Sequence, residues 1–138
     1  MITGIRIDKV EASRESEDMI SNMKFNINFD DVIVTGDNVE VKYTFLTSYE
    51  GTNSSKQVGQ LKISGAISSK EPKEALDEIQ STWKSKKTLP LDFAENVINI
   101  LNFECGSRGT LVAYSIGFVA PLPLSRAKLS DTSSGAAQ

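Results

Sequence analysis

The stretch MKFNINF, residues 23–29, decides the fold class, because apolar and polar side chains alternate along its whole length. Its apolar members, which share one face of an extended chain, are Met23, Phe25, Ile27 and Phe29. Alternation of this kind predicts a β-strand that buries one face and exposes the other.

The chain that follows this stretch carries further strand signals. Val32 and Val34 continue the apolar pattern out of phase, which predicts a β-bulge or a break at Asp30-Asp31. Residues 35–38, TGDN, have the composition of a hairpin turn, since Gly, Asp and Asn tolerate positive φ. We therefore expect the strands before and after the turn to pair antiparallel.

Three more alternating runs complete a predicted sheet. Two of them cover residues 39–45 and 61–67, and a shorter run near the start has Ile5 and Ile7 on one face. A charged stretch, residues 11–18, follows the first run and predicts a solvated connection. Together the runs predict a four-stranded antiparallel β-meander with one apolar face.

Helical spacing replaces alternation after Pro72, which stands where proline favours the start of a helix. The first predicted helix has apolar residues three to four positions apart, at Ala75, Leu76, Ile79 and Trp83. A second helix is predicted from near Leu91. Its main apolar stripe consists of Ala94, Val97, Ile98, Leu101 and Cys105, and Phe93, Ile100 and Phe103 lie off the stripe.

The end of the chain is less regular. Gly106 and Gly109 predict an interruption or a kink, after which residues 111–119 resume as an apolar helical stretch. Residues 130–138 lack apolar periodicity, so we predict a disordered tail there. The sequence thus predicts one α+β domain over residues 1–129, with the helices packed on one face of the sheet.

Composition excludes several function classes. Hydrophobic residues at 39% and charged residues at 24% are typical of a globular protein. A net charge of -3 argues against a nucleic-acid partner. The absence of histidine and the single cysteine exclude zinc clusters, histidine-dependent dyads and an internal disulfide. We see neither a secretory signal nor a stretch suited to membrane insertion, and we expect a cytoplasmic protein.

Carboxylates are the main catalytic groups that this composition supplies. Asp30, Asp31 and Asp37 surround the predicted hairpin and are the best candidates for a magnesium site. Adjacent strand residues point to opposite faces, however, so we favour solvated residues at a turn. Cys105 lies on the apolar stripe, which indicates a buried and inert thiol. We therefore expect no enzyme activity, no cofactor and no metal.

The second helix carries more apolar surface than one sheet can cover. A homo-oligomeric interface or a groove for other apolar chains would cover it, and helices that bury one another within a monomer are the alternative. We expect a dimer or tetramer whose interface uses Val97, Ile98 and Leu101.

The order of these elements resembles the SecB family of export chaperones. FAENVI, residues 93–98, is similar to the start of the family's principal helix, and SRGT, residues 107–110, looks like a motif near the end of that helix. VAP, residues 119–121, is similar to the Leu-Ala-Pro that follows in the family. The resemblance covers residues 5–124.

This resemblance implies a SecB-like fold and an ATP-independent holdase, which binds unfolded polypeptides or preproteins in apolar grooves. Family members form tetramers as dimers of dimers, and in bacteria they deliver clients to the SecA translocation motor. Some relatives instead protect antitoxins. Two features depart from the family: this chain is only mildly acidic, and its apolar stretch after Gly109 is longer.

A groove lining can be predicted from position along the chain. We expect it to use the end of the first helix, the connection and the proline-containing segment, namely Trp83, Leu89, Phe93, Phe118, Leu122 and Leu124. Each of these residues has a core role as its alternative. The rival function is an adaptor that uses the same apolar surface for one dedicated protein partner, and an enzyme with carboxylate chemistry ranks third.

Overall fold

The computed structural model describes residues 1–52, 57–118 and 121. Within these ranges four strands are followed by two helices. Their bounds are β1 (Ile2–Arg14), β2 (Ile20–Thr35), β3 (Asn38–Gly51), β4 (Gln57–Lys70), α1 (Lys73–Lys86) and α2 (Leu91–Ser115). Neighbouring strands are all antiparallel, so the predicted α+β class and four-stranded antiparallel sheet are confirmed.

The strand order is β1-β4-β3-β2, which differs from that of a simple meander. Strands β2, β3 and β4 do form a meander, but β1 pairs with β4 and is separated from β2 by two strands. The chain returns across the end of the sheet over residues 15–19, where the Glu15 N–H donates to the Val58 carbonyl and the Thr52 N–H to the Met19 carbonyl. The predicted placement of β1 is therefore wrong, because it assumed that strands adjacent in sequence pair.

Strand β1 is also longer than the predicted run at Ile5 and Ile7. Val10 and Ala12 continue the strand and pair with Ile63 and Leu61 of β4. A register shift between Ile7 and Lys9 moves the apolar residues from odd to even positions. This shift hides the strand from a search for strict alternation, and the connection predicted over residues 11–18 begins later.

The hairpin between β2 and β3 follows the sequence closely. Thr35 pairs with Asn38, and Gly36 has the positive φ of 62° that the turn requires. The register shifts between Phe29 and Asp31, which confirms the predicted bulge. Val32 and Val34 therefore return to the inner face of the sheet beside Phe29.

The core lies between the inner face of the sheet and the two helices. α1 lies against β2, whereas α2 lies against β4 and β1. α1 contributes Leu76 and Ile79 to the core, and its Lys87 ends the helix with φ of 54°. The sheet's largest fully buried side chains are Tyr43, Phe45, Tyr49, Leu61, Ile63 and Ile67.

Helix α2 runs for 25 residues without a break, so the predicted interruption at Gly106 and Gly109 is wrong. Both glycines are buried. A Cβ atom at Gly109 would lie 2.9 Å from Leu61 Cδ2, which indicates that glycine allows α2 to approach β4 closely. Gly109 is a packing contact, and neither glycine breaks the helix.

Helix α2 ends at Ser115, four residues before the predicted end at position 119, and Gly117 sets this end. Gly117 has φ of 77°. The Phe118 N–H donates to the Ala113 carbonyl at 2.8 Å, and the Gly117 N–H to the Tyr114 carbonyl at 3.2 Å. These two bonds form a Schellman motif, which turns the chain back and carries Phe118 onto the sheet.

Neither helix within the described ranges combines the length and the apolar character that a membrane span requires. The tail predicted over residues 130–138 lies outside the described residues.

Candidate functional site

An open cleft lies between α1 and the end of β2, and we call it the Trp83 cleft. Its volume is about 800 Å³. It is lined by Asp31 and Val32 of β2 and by Gln80, Ser81, Trp83, Lys84 and Ser85 of α1. The β2 bulge sets this geometry, because it returns Val32 to the inner face, opposite α1.

The chemistry of the Trp83 cleft is amphipathic. The Trp83 side chain is half-buried and packs against the core. The Lys87 ammonium lies 5.4 Å from the centroid of the indole ring, and Lys84 adds a second cation at the rim. The Asp31 carboxylate accepts a hydrogen bond from the Val32 N–H at 2.9 Å. An apolar floor with charges of both signs at its rim suits a peptide segment.

A smaller cleft lies near the start of α2, and we call it the Phe93 cleft. Its volume is about 400 Å³. The apolar walls are Ile2, Phe93 and Ile100, and the polar groups come from Met1, Ser69, Glu71 and Asn96. The Glu71 carboxylate is already engaged, because it pairs with the Met1 ammonium and accepts from Ser69 Oγ.

The outward face of α2 carries the largest exposed apolar side chains of any described helix. Phe103 is 67% exposed, Leu111 80% and Tyr114 62%. Together with the half-buried Ile100 and the small Ser107 they form what we call the outer stripe. Beside it, Glu104 and Arg108 form an ion pair at 3.2 Å.

The residues predicted to line one groove separate into three groups. Trp83 and Phe93 are half-buried and lie in the two different clefts. Leu89 is 5% exposed and Phe118 2% exposed, so both belong to the core and the predicted groove role does not fit them. Leu122 and Leu124 lie outside the described residues.

Phe118 is held in the core by aromatic contacts. Its ring stacks on Tyr49 with centroids 4.2 Å apart, and the Arg14 guanidinium lies 5.3 Å from its centroid. Gly59 leaves room for the ring, since a Cβ atom there would lie 2.2 Å from Phe118 Cζ. The sequence prediction gave this core role only as the alternative, because it extended the helix through Phe118.

The predicted oligomer interface also needs correction. Val97, Ile98 and Leu101 are fully buried at 0% exposure within the single chain, where they pack in the core. The stripe that is most regular in sequence faces the protein's own sheet. The apolar surface left over is the outer stripe.

Cys105 has the environment of a structural thiol. It is completely buried. Burial raises its pKa from an ordinary value of 9.0 to about 11, although a hydrogen bond with Tyr43 acts in the opposite direction. The neutral thiol is therefore the stable form at neutral pH, as expected for an inert side chain.

The carboxylates near the hairpin have local structural partners. Asp30 accepts a hydrogen bond from Thr44 Oγ1 at 2.6 Å on the outer face of the sheet. Asp31 accepts from the backbone at the rim of the Trp83 cleft. Among the residues that the structure describes, no three acidic or cysteine side chains lie close enough to hold a metal ion.

Several residues of these surfaces were missing from the sequence prediction. Val32 lines the Trp83 cleft, Ile2 lines the Phe93 cleft, and Leu111 and Tyr114 lie on the outer stripe. The phase change at the β2 bulge was the sequence signal for Val32. For Leu111 and Tyr114 the signal was their helical spacing from Phe103, which only a continuous α2 makes visible.

Comparison with known proteins shows a likeness in fold to a solved structure. No family model matches the sequence, and no curated protein matches it significantly. Among solved structures, the chain is similar to the SecB-like chaperone of Mycobacterium tuberculosis in complex with a ChAD peptide from the HigA1 antitoxin. The likeness has a TM-score of 0.51 at 10% sequence identity and covers 96% of this chain and 91% of that chain. The four-stranded sheet and two helices thus form a SecB-like fold.

Proposed function

We propose that this protein is a cytoplasmic, ATP-independent holdase that binds unfolded polypeptides or preproteins, without enzymatic activity or a cofactor. The observation that carries this proposal is the Trp83 cleft, an open amphipathic cleft with a half-buried aromatic floor on a SecB-like fold. The Phe93 cleft serves as a second binding position.

The dimensions of the Trp83 cleft support a peptide ligand. Its volume of about 800 Å³ lies in the range of about 300–1,000 Å³ that ligand sites occupy. A large apolar side chain buried there contributes about 1.5–3 kcal/mol before ordering costs are subtracted. One such contact is weak, so several contacts along an unfolded chain are needed for useful affinity.

Trp83 is the only tryptophan of the chain and reports directly on this cleft. When an unfolded apolar peptide binds, water leaves the indole, so we expect its fluorescence emission to shift to the blue. The measurement is a titration with a peptide that lacks tryptophan. A saturating peptide that binds without any change in Trp83 emission would contradict the assignment of the site.

Two adjacent residues of β2 provide a matched pair of variants. Val32 lines the cleft, whereas Ile33 points to the opposite face of the sheet and is partly exposed. Val32→Asp places a charge in the apolar floor, and we expect about tenfold weaker peptide binding. Ile33→Asp introduces the same charge outside the cleft and should bind as the unchanged protein does. Thermal melts of both variants establish that they are folded.

The second candidate function is an adaptor for one dedicated partner, with an antitoxin segment as the first choice. The solved SecB-like structure that this chain resembles holds an antitoxin peptide, which is a single defined partner. The binding surface is divided into two separate clefts, and this arrangement also suits a short segment of a partner protein. A panel of unrelated peptides distinguishes the two functions, since a holdase binds most of them and an adaptor binds few.

A translocation motor is not among the partners that we propose. The outer face of the sheet carries charges of both signs in ion pairs, for example Arg6 with Asp8 and Lys24 with Glu50. The hydrogen bond from Arg6 holds the pKa of Asp8 below its ordinary value, so this carboxylate is charged and paired at neutral pH. Such a surface lacks the strong single-sign field that steers a basic partner.

A further inference from the structure

The carboxyl end of α1 carries a dense group of cations beside the Trp83 cleft. Lys84, Lys86 and Lys87 follow Trp83 closely in sequence, and all three are exposed. Lys84 lines the cleft directly. The Lys87 ammonium lies 5.4 Å from the centroid of the Trp83 ring. The helix wall of the cleft is therefore positively charged next to its aromatic surface.

These three lysines have no carboxylate partner within the chain as the structure describes it. None of them forms an ion pair with a described residue. The positions three and four residues before each lysine, where a helical partner would stand, hold uncharged side chains or another lysine. Glu104 and Arg108 of α2 show the contrasting arrangement, since they pair one turn apart. The ammonium groups beside the cleft are thus available to an anionic ligand.

Lysines in the last turn of a helix also stabilise the helix itself, because they interact with the negative end of its dipole. That role requires neither an aromatic ring close to the charge nor an open cleft. Here Lys84 and Lys87 stand beside Trp83, and the cleft of about 800 Å³ adds the apolar surface of Val32. Cations next to apolar surface match a ligand that is both apolar and acidic.

We infer that the Trp83 cleft selects client segments in which an aromatic or large aliphatic residue is flanked by acidic residues. This selectivity rests on the proposed function, because it concerns the same cleft. The apolar side chain packs on Trp83 and Val32, and the neighbouring carboxylates pair with Lys84 and Lys87. Asp31 lies on the β2 wall and repels an anion there, so the carboxylates lie on the α1 side.

The inferred preference is opposite to the one that overall charge predicts. The whole chain has a net charge of -3, which on its own would favour a basic segment. A basic segment that enters the cleft meets Lys84 and Lys87 with like charge, and such a contact is unfavourable. Selection of an acidic segment therefore requires the local lysines and cannot come from the net charge.

Three peptides of equal length test this preference. Each has the same Phe-Leu centre and no tryptophan, and its flanking residues are all Glu, all Gln or all Lys. Trp83 emission and the anisotropy of a dye on the peptide both report binding. At low ionic strength we expect the Glu peptide to bind about tenfold more tightly than the Lys peptide, with the Gln peptide between them. At about 0.5 M salt the difference should shrink, because exposed charges are screened.

Lys84→Glu tests whether the preference comes from the cleft, and Lys73→Glu at the start of α1 is its matched control. The two variants change the net charge equally, but only Lys84 lines the cleft. We expect Lys84→Glu to abolish or reverse the preference for the Glu peptide and Lys73→Glu to retain it. Lys84→Gln removes the charge without adding a new one and should give a reduced preference. Thermal melts establish that all three variants are folded.

The results separate this inference from the proposed function. Equal affinities of the Glu and Lys peptides, with both shifting Trp83 emission, would overturn the charge preference and leave the holdase cleft intact. Tighter binding of the Lys peptide, or equal loss of the preference in Lys84→Glu and Lys73→Glu, would also overturn it. If no peptide changes Trp83 emission at saturation, the proposed binding site fails and the preference fails with it.

Discussion

Cys105 shows how a single residue is made inert by its surroundings. It lies on the buried side of α2, next to Tyr43 of β3. The Tyr43 hydroxyl donates at 3.1 Å to the carbonyl of Arg6 on β1, two strands away in the sheet. Burial raises the pKa of Cys105 to about 11 and that of Tyr49 to about 12, and it also raises the pKa of Tyr43. The folded protein therefore keeps these groups neutral in a pH range where the unfolded chain ionises.

The raised pKa of Cys105 determines how the free energy of unfolding changes with pH. Below the ordinary thiol pKa of 9.0 both states hold the Cys105 proton, and the full stability is present. Between that value and about 11 the folded state binds more protons than the unfolded state, so stability falls as pH rises. A pKa rise of this size corresponds to about 3 kcal/mol for Cys105.

We therefore predict that the free energy of unfolding declines above about pH 9 and that Cys105→Ala makes the decline shallower. Urea unfolding at about pH 8 and about pH 10.5 measures both slopes. Equal stability of the unchanged protein at the two pH values would show that the buried thiol and phenols do not control alkaline unfolding.

At the scale of the elements, the β1–β4 pairing depends on Gly65. Gly65 pairs with Ile7 on one side and with Tyr43 on the other. A Cβ atom at Gly65 would lie 1.9 Å from the Arg6 carbonyl oxygen, which is far inside van der Waals contact. This oxygen also accepts the Tyr43 hydrogen bond, so a side chain at Gly65 disturbs both features.

We predict that Gly65→Ala lowers the free energy of unfolding by at least about 2 kcal/mol, because the atom it meets belongs to the backbone and cannot rotate away. Gly4→Ala is the matched control within β1, since a Cβ atom there meets nothing within 4 Å. It should change stability by less than about 0.5 kcal/mol. Comparable losses in the two variants, measured by urea unfolding, would contradict the packing argument.

The elements also show which parts of the structure a sequence can predict. Strict alternation located β2, β3 and β4, and the phase slip at Asp30 located the bulge, because both signals are local. The length and place of β1 were missed because a register shift breaks its pattern and its partner is distant in sequence. Gly109 was misread as a helix breaker, since its contact with Leu61 comes from the tertiary fold.

At the candidate site, too, some features could be predicted from the sequence and others depend on the tertiary fold. Trp83 was predicted from its position at the end of the first helix and Phe93 from the connection, and the structure places both at open clefts. Leu89, Phe118 and the helix stripe that contains Ile98 have neighbours in sequence as apolar as those of Trp83 and Phe93. These residues are nevertheless buried. Which side of a helix faces the core is a property of the packed chain, and hydrophobicity alone does not decide it.

At the scale of the whole molecule, the apolar surface is divided between three places with different exposure. The core between sheet and helices is closed, the Trp83 and Phe93 clefts are partly open, and the outer stripe is exposed apart from the half-buried Ile100. Our account assigns stability to the first and client binding to the second.

The holdase assignment is tested most directly by aggregation of several unrelated unfolded proteins, followed by light scattering with and without this protein and in the absence of ATP. We predict that the unchanged protein and Ile33→Asp suppress aggregation of most of these clients at near-stoichiometric amounts, and that Val32→Asp loses this effect while remaining folded. Failure of the folded, unchanged protein to suppress aggregation of any client would contradict the holdase assignment and leave the dedicated adaptor.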